Sequence, residues 1–465
     1  MADHHSSFSA ERLRDRLAAL AAANAYFAGF SGGADSTALL LALIELGEGL
    51  GTPFKAVHVN HGLHADAAKW QRHCEQFCRR HDVELVCLRV RPGTGSGKGV
   101  EAEARRLRYE AIAALLGPGD SLLTAHHADD QAETVLLNLM RGSGVDGLSA
   151  MPPERPLGAG LLQRPLLDID KQALRIYLRD RRVGWLEDPS NQFPGQDRNF
   201  LRHQIVPVLE RRWPGVVKRL SLTRRAMAET RAMLEDLADD MLGRSLLHPL
   251  VLRLENPADA GPGRFKLVVR RWLRLTGVPP LPAHRLETLW QQVRRTNGSG
   301  KVRVDWEHCA LHLYRDQLWL QAGAPVEPCP DHAWPPGGNS VELGGHFGQL
   351  AFEGADETRP NMDLESFSRR GRGELSILLN GHHHRLKNIF QAAAVPPWLR
   401  DAVPLTALDG ELSAIGDWCI GDRLGAWLGE TGLRLRWRPR NTLLRYVRDR
   451  QHGAEATGTA GDELN

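Results

Sequence analysis

Cysteine is scarce: six cysteines occur among 465 residues, and none has C-x-x-C spacing. So few thiols in so long a chain exclude a disulfide framework and suit a reducing compartment. No apolar run approaches the roughly 20 residues needed to cross a bilayer. The amino-terminal "MADHHSSFSAERLRDRL" also lacks the apolar core of a secretory leader. A cytoplasmic protein with no membrane segment is expected. Excess charge is lacking too: the net value is only +3, so global charge names no partner. Locally, arginine outnumbers the acids between Arg164 and Arg231, as in "RDRRVGW", "DRNFLRHQ" and "LERRWPGVVKRL". That density is either a set of solvated helix faces or a surface for RNA.

The length favours two or three domains. The first part alternates between two periods. "AYFAGF" (Ala25–Phe30), "FKAVHVN" (Phe54–Asn60), "ELVCLRV" (Glu84–Val90) and "DSLLTAH" read as strands, and Cys87 is expected in a strand core. Amphipathic helical segments separate them, which predicts an α/β fold: a Rossmann-like parallel sheet with helices on both faces. Ligands of such sheets bind at the carboxyl ends of the strands. After Trp213-Pro214-Gly215 the pattern changes. Residues 216–325 read as a smaller α+β domain that begins with one or two helices and ends in a strand pair, "KVRVDWEHCALHLYRDQLWLQAG". The Pro- and Gly-rich 326–340 reads as a linker, 341–440 as a third, smaller α+β domain, and 441–465 as a flexible tail. Residues 1–215 are then the first domain.

The segment "FSGGADSTALL" (Phe30–Leu40) joins the first strand to the first long helix of that sheet. Backbone amides at a helix N-terminus, together with the helix dipole, favour an anion, and glycine lets it approach closely. Ser31, Gly32, Gly33, Ala34, Asp35 and Ser36 therefore form a candidate phosphate cradle. Asp35 would repel a bound phosphate unless a divalent cation lay between them. The bland alternative is an ordinary turn in which Asp35 or Ser36 caps the helix. A second glycine-rich segment, "GTGSGKGV" (Gly93–Val100), lacks the Walker A spacing and reads as a flexible loop.

SGGADS resembles the PP-loop of the ATP pyrophosphatase family. "VHVNHGLH" (Val57–His64), "EAEARRLRYEAI", "TAHHADDQAETVLLNLMRGSGVDGLSAM", "RPLLDI", "WLEDPSNQ", "DRNFLRHQIVPVLERRWP" and "VPPWLRDAVPL" (Val395–Leu405) are together similar to the tRNA(Ile)-lysidine synthetase family, in order along nearly the whole chain. The resemblance implies an enzyme, a carbon–nitrogen ligase using ATP and Mg²⁺. It would adenylate C2 of the wobble cytidine in the minor isoleucine tRNA with anticodon CAU. Free L-lysine would then displace AMP, giving lysidine and switching reading from AUG to AUA.

The resemblance also implies roles. Asp35 would hold Mg²⁺, and Arg105 would contact phosphate or adenylate, although Arg105 and Arg108 are equally readable as solvated arginines. Asp130 and Glu133, three residues apart on one helix, would bind lysine. Lysine arrives as an ammonium with a pKa of about 10.4 and must lose a proton before it attacks. The alternative is helix capping by Asp129 with the other acids in solvent. His58, His61, one of the His126–His127 pair (His126), Asn199, Arg202, Arg385 and Lys387 are weaker candidates for tRNA or adenylate contact. The chain departs from the family at "NGHHHRLKNIF" (Asn380–Phe390), where His384 and Asn388 stand in place of basic residues. Cys74 and Cys78 with His73 and His81 imitate a metal cluster but read better as a buried apolar patch. A thiolase of the same superfamily would need paired cysteines, and an amidotransferase an ammonia source. A homodimer is left open.

Overall fold

The computed structural model describes residues 7–62, 66–91, 93, 100–187, 197–254, 257–296, 302–354 and 363–456. Most of the "GTGSGKGV" loop and most of "WLEDPSNQ" lie outside the described residues. The chain divides into two compact units, 1–234 and 235–465.

In the first unit, strands β1 (Tyr26–Gly29), β2 (Phe54–Asn60), β3 (Leu85–Arg89) and β4 (Ser121–Leu123) pair in parallel. A hairpin of β5 (Glu154–Leu157) and β6 (Gly160–Gln163) extends the sheet, giving the order β3-β2-β1-β4-β6-β5. β6 is parallel to β4, and β5 is antiparallel at the edge. Strands of only four residues each carry no clear period in the sequence, and the turn between them packs tightly. Gly158 has φ +60°, and a Cβ there would sit 2.5 Å from the carbonyl oxygen of Ala113.

The helices are α1 (Ala10–Ala18), α2 (Ala34–Leu46), α3 (Ala67–Arg80), α4 (Val100–Ala113), α5 (Ala128–Met140), the single turn α6 (Val145–Leu148) and α7 (Lys171–Asp180). After them come α8 (Asp197–Phe200), a π-helical turn Leu201–Ile205, α9 (Val206–Arg212) and α10 (Val216–Ser245), which runs past the boundary between the units. Alternate strand residues feed opposite cores. Tyr26 and Ala28 pack with Leu13, Leu39, Leu40, Leu174 and Tyr177. Phe27 packs on the other face with Val57, Ile112, Leu122 and Leu162. A sheet buried on both faces is what continuous apolar strands require. Cys87 corrects its expectation: it lies on β3, near the sheet edge, and is exposed.

The second unit begins with a five-stranded sheet built from Leu246–His248, Val251–Arg253 and three strands, Val302–Trp306, Cys309–Tyr314 and Gln317–Ala322, backed by helices Pro257–Leu275 and Ala283–Thr296. The segment expected as a strand pair is thus a three-stranded meander. Its turns fall at Glu307 (φ +45°) and at Arg315 and Asp316 (φ +48° and +55°), where no glycine signals them. The region expected as a linker carries buried Cys329 and Trp334 and the short strand His332–Ala333. The region expected as a tail opens with the helix Thr442–Ala456, whose Leu443, Leu444 and Val447 are buried. The polar last residues hid that apolar stripe. Among the described residues no helix is long and apolar enough to cross a membrane.

Candidate active site

β1 delivers the chain to Phe30, and Ser31–Gly33 turns it into α2. Gly32 has φ +82°, and a Cβ there would lie 3.0 Å from Leu186 Cδ1, 3.2 Å from His73 Cδ2 and 3.3 Å from Cys74 Sγ. Only glycine fits that conformation and that space. The loop is braced by its own hydroxyls. Ser31 N donates to Ser36 Oγ (3.2 Å), Ser36 Oγ to the Gly33 carbonyl (3.0 Å), and Thr37 Oγ1 to the same carbonyl (2.9 Å). Leu186 N donates to the Gly32 carbonyl at 2.8 Å. Gly33 is the N-cap of α2 and offers no side-chain acceptor. The positive end of α2 is therefore left for an anion. Neither Asp35 nor Ser36 caps the helix.

Asp35 lies in the first turn of α2. Its Oδ2 is 3.4 Å from Nε2 of His127, while its Oδ1 is buried with no hydrogen-bond partner. His127 ends the loop after β4 and is the N-cap of α5. Asp130 N donates to His127 Nδ1 (3.4 Å), and His127 N donates to Asp130 Oδ2 (3.1 Å), a reciprocal capping box. Burial opposes charge on His127, yet Asp35, Asp130 and Asp129 outweigh it and raise its pKa. Capping by Asp129 is corrected: its Oδ2 accepts from Lys171 N at 3.0 Å.

Asp130 and Glu133 do share one face of α5, one turn apart, but two guanidiniums already engage them. Arg198 donates through Nε to Glu133 Oε2 (2.8 Å) and through Nη2 to Asp130 Oδ1 (3.2 Å). Arg202 donates through Nε to Glu133 Oε1 (2.6 Å), and through Nη2 to Glu133 Oε2 (2.9 Å) and Asp130 Oδ1 (3.1 Å). Burial raises the Asp130 carboxyl, but His127 and Arg198 overcome it and hold the pKa below the usual value. Four neighbouring carboxylates are tolerated here because these cations accompany them.

His126 lies within electrostatic reach of Asp130 and Arg198 but makes its hydrogen bond elsewhere. Its Nδ1 sits 2.9 Å from Thr124 Oγ1, and burial pushes its pKa down to about 4. Arg164, Arg198 and Arg105 add to the depression, so Arg105 lies within electrostatic reach of the site although it is exposed and stacks over Tyr109 at 5.3 Å. Arg164 is buried, donates to the Pro152 carbonyl at 2.7 Å, and is brought by burial down to about 10. His58 is buried against the Phe30 carbonyl, 2.9 Å from Nδ1, and burial lowers its pKa. His61 follows β2, and Asn199 is buried on α8. Arg385 and Lys387 are in the second unit, exposed at the end of the strand His382–Arg385 and at the start of the helix Leu386–Ala392. Cys74 and Cys78 lie buried beside Phe77, and burial pushes both thiols up to about 12.

Three residues of this cluster are not among the candidates chosen from the sequence: His127, Arg198 and Arg164. His127 is the neighbour of the histidine chosen, and the choice turns on which of two adjacent side chains the N-cap position selects. Arg198 opens the same R-N-x-x-R string that supplied Asn199 and Arg202.

The PP-loop domain family matches residues 6–209, the TilS substrate binding domain family residues 252–319, and the TilS substrate C-terminal domain family residues 365–437. A protein of Alkalilimnicola ehrlichii named tRNA(Ile)-lysidine synthase is 41% identical over 88% of this chain and 93% of its own. Proteins of the same name from Xanthomonas campestris pv. campestris and Methylococcus capsulatus are each 36% identical, over 88% and 86% of this chain and 94% and 93% of theirs. Among solved structures, a U34-tRNA thiolase from Methanococcus maripaludis is 17% identical with a TM-score of 0.37, covering 47% of this chain and 77% of that one. That likeness is too slight to bear on activity. With more than four-fifths of its length aligned to such relatives, the chain belongs to the tRNA(Ile)-lysidine synthase family.

Proposed function

We propose that this chain ligates free L-lysine to C2 of the wobble cytidine in the minor isoleucine tRNA with anticodon CAU, in two steps driven by ATP. The observation that carries it is one cluster: a glycine turn at the head of α2, and beside it Asp35, His127, Asp130 and, through Arg198 and Arg202, Glu133 in a single polar network. In the first step the α2 N-terminus and the Ser31–Ser36 backbone hold the triphosphate. Arg105 and Arg164 add positive charge where the α-phosphate gains it. Asp35 is the residue that would hold Mg²⁺: its buried, unpartnered Oδ1 faces no protein donor, and such cations are bound by one or two carboxylates plus phosphate oxygens. When bound, the ion neutralises charge on the triphosphate and the departing pyrophosphate.

In the second step Asp130 and Glu133 receive the lysine ammonium, which exchanges places with part of the Arg198–Arg202 clasp; they hold it as the cation, and one of them accepts its proton as the amine attacks C2 and AMP leaves. The clasp supports a second reading. On that reading the two acids are positioning residues that aim Arg198 and Arg202 at the adenylate, with lysine held elsewhere. On either reading residues 1–215 carry the chemistry, and the domains at 216–325 and 341–440 hold the body of the tRNA.

ATP–pyrophosphate exchange tests the reaction class. Exchange is expected only with the CAU isoleucine transcript present, and lysine should drain the adenylate. Exchange without tRNA, or with lysine alone, contradicts it.

A further inference from the structure

A cleft of about 440 Å³ opens at the carboxyl ends of β2 and β3 against α3, within the roughly 300–1,000 Å³ range of ligand sites. It lies on the same sheet edge as the phosphate turn, one strand outward: Phe30 N donates to the Val57 carbonyl on β2, and Asn60, which ends that strand, lines the cleft. Its walls carry Arg72 from α3 and Arg89 and Arg91 from the end of β3. Among the described residues, none of these three guanidiniums has an ion pair or hydrogen bond to another side chain, whereas Arg106, Arg181, Arg198 and Arg202 of the same unit all do. Behind them runs a fixed polar chain. Asn60 Nδ2 donates to Gln71 Oε1 at 2.9 Å, and Gln71 Nε2 donates to Glu75 Oε1 at 2.8 Å.

We infer that this cleft binds the ribose-phosphate backbone of the substrate RNA next to the target nucleotide. Three unpaired guanidiniums in one concavity suit phosphodiesters. The single carboxylate among them would repel a compact triphosphate, whose own cradle is the α2 N-terminus. It is a ready acceptor for a ribose 2′-hydroxyl, the group that separates RNA from DNA. A single strand that places its base at the phosphate turn must cross this sheet edge, and RNA loops are read as single strands. The inference rests on the tRNA-ligase reading and adds to it the surface of the first unit that grips the strand.

The test uses the full-length chain, an anticodon stem-loop RNA of the CAU isoleucine tRNA, and the same stem-loop with 2′-deoxy sugars in its loop. The variant Arg72→Gln/Arg89→Gln/Arg91→Gln should weaken RNA binding about tenfold or more. It should also reduce the slope of log affinity against log salt by about 2, as expected for three lost single-strand phosphate contacts. ATP affinity should not change. Glu75→Gln should narrow the preference for ribose over deoxyribose in the loop. Should the triple variant fail to fold, Arg72→Gln and Arg91→Gln are read singly, each with a smaller loss of the same kind. RNA affinity and salt slope equal to wild type overturn the site. Weakened ATP binding with RNA binding intact also overturns it, by assigning the cleft to the triphosphate. A wild type that gives tRNA-dependent pyrophosphate exchange beside an unaffected triple variant removes this inference alone. A wild type inert toward the RNA removes the ligase reading with it.

Discussion

Asp130 and Glu133 were legible in the sequence because the spacing of three puts them on one helical face. Their partners were not, because Arg198 and Arg202 are 65 or more positions away and meet them only in the fold. That separation creates a choice that kinetics can make. Asp130→Asn and Glu133→Gln should raise the KM for lysine about tenfold or more while leaving the KM for ATP nearly unchanged, since each removes a charge that would face the ammonium. A rise confined to ATP, with normal lysine dependence, would assign the acids to positioning the arginines. His126 carries a different signature. Its pKa is held near 4 by burial, so below about pH 6.5 the unfolded chain takes up a proton that the folded chain refuses. Stability is therefore unaffected above pH 7 and falls as the pH drops from about 6.5 toward 4, by on the order of 3 kcal/mol if the site stays intact. His126→Gln should flatten that fall. Thermal midpoints of wild type and variant at pH 7.5 and 5.5 should converge, or cross, at the lower pH; parallel midpoints would contradict the depressed value.

Elements with a strong period were readable. β2 runs Phe54–Asn60, as its alternation and length indicate, and α5 begins just after the histidine pair. Elements fixed by turns without glycine, such as the meander at Val302–Ala322, were not. The histidine triplet shows the same limit. Residues His382–Arg385 form a strand paired with Ser376–Leu379 across an Asn380–Gly381 turn, and the Asp422 carboxylate accepts both turn amides, at 2.7 and 2.8 Å. Strand alternation puts His382 and His384 on one face and His383 on the other; His384, opposite buried Ile377, is half-buried, while His382, at the turn end, and His383 are exposed. If this hairpin meets tRNA phosphates through Arg385 and Lys387, changing both to glutamine should weaken tRNA binding and reduce the slope of log affinity against log salt by about 2. An unchanged slope would remove the hairpin from the interface.

At the scale of the molecule, alternating strands and helices made the first unit legible as a doubly covered parallel sheet. The prolines and glycines of 326–340 suggest a linker, yet the segment carries buried Cys329 and Trp334. The two parts of the second unit instead share one core. Val251 and Trp319 of the five-stranded sheet pack with Leu350, Phe390 and Trp437, and His312 stacks on Trp398 at 4.3 Å. Each large apolar side chain in that core contributes about 1.5–3 kcal/mol by burial. A chain ended at residue 329 should therefore lose the second unit's own thermal transition by calorimetry, while ATP titration of the first unit stays near normal. An unchanged transition would restore the linker. The central claim is that lysine becomes joined to tRNA at the expense of the α,β bond of ATP. The most direct measurement follows radiolabelled lysine into acid-precipitable tRNA alongside AMP and pyrophosphate. The expected result is equal amounts of lysine incorporated, AMP and pyrophosphate, with the CAU isoleucine transcript alone as acceptor and the label recovered in the wobble nucleoside. ATP cleavage with no lysine in the RNA, or equal labelling of a methionine transcript bearing the same anticodon, would contradict it.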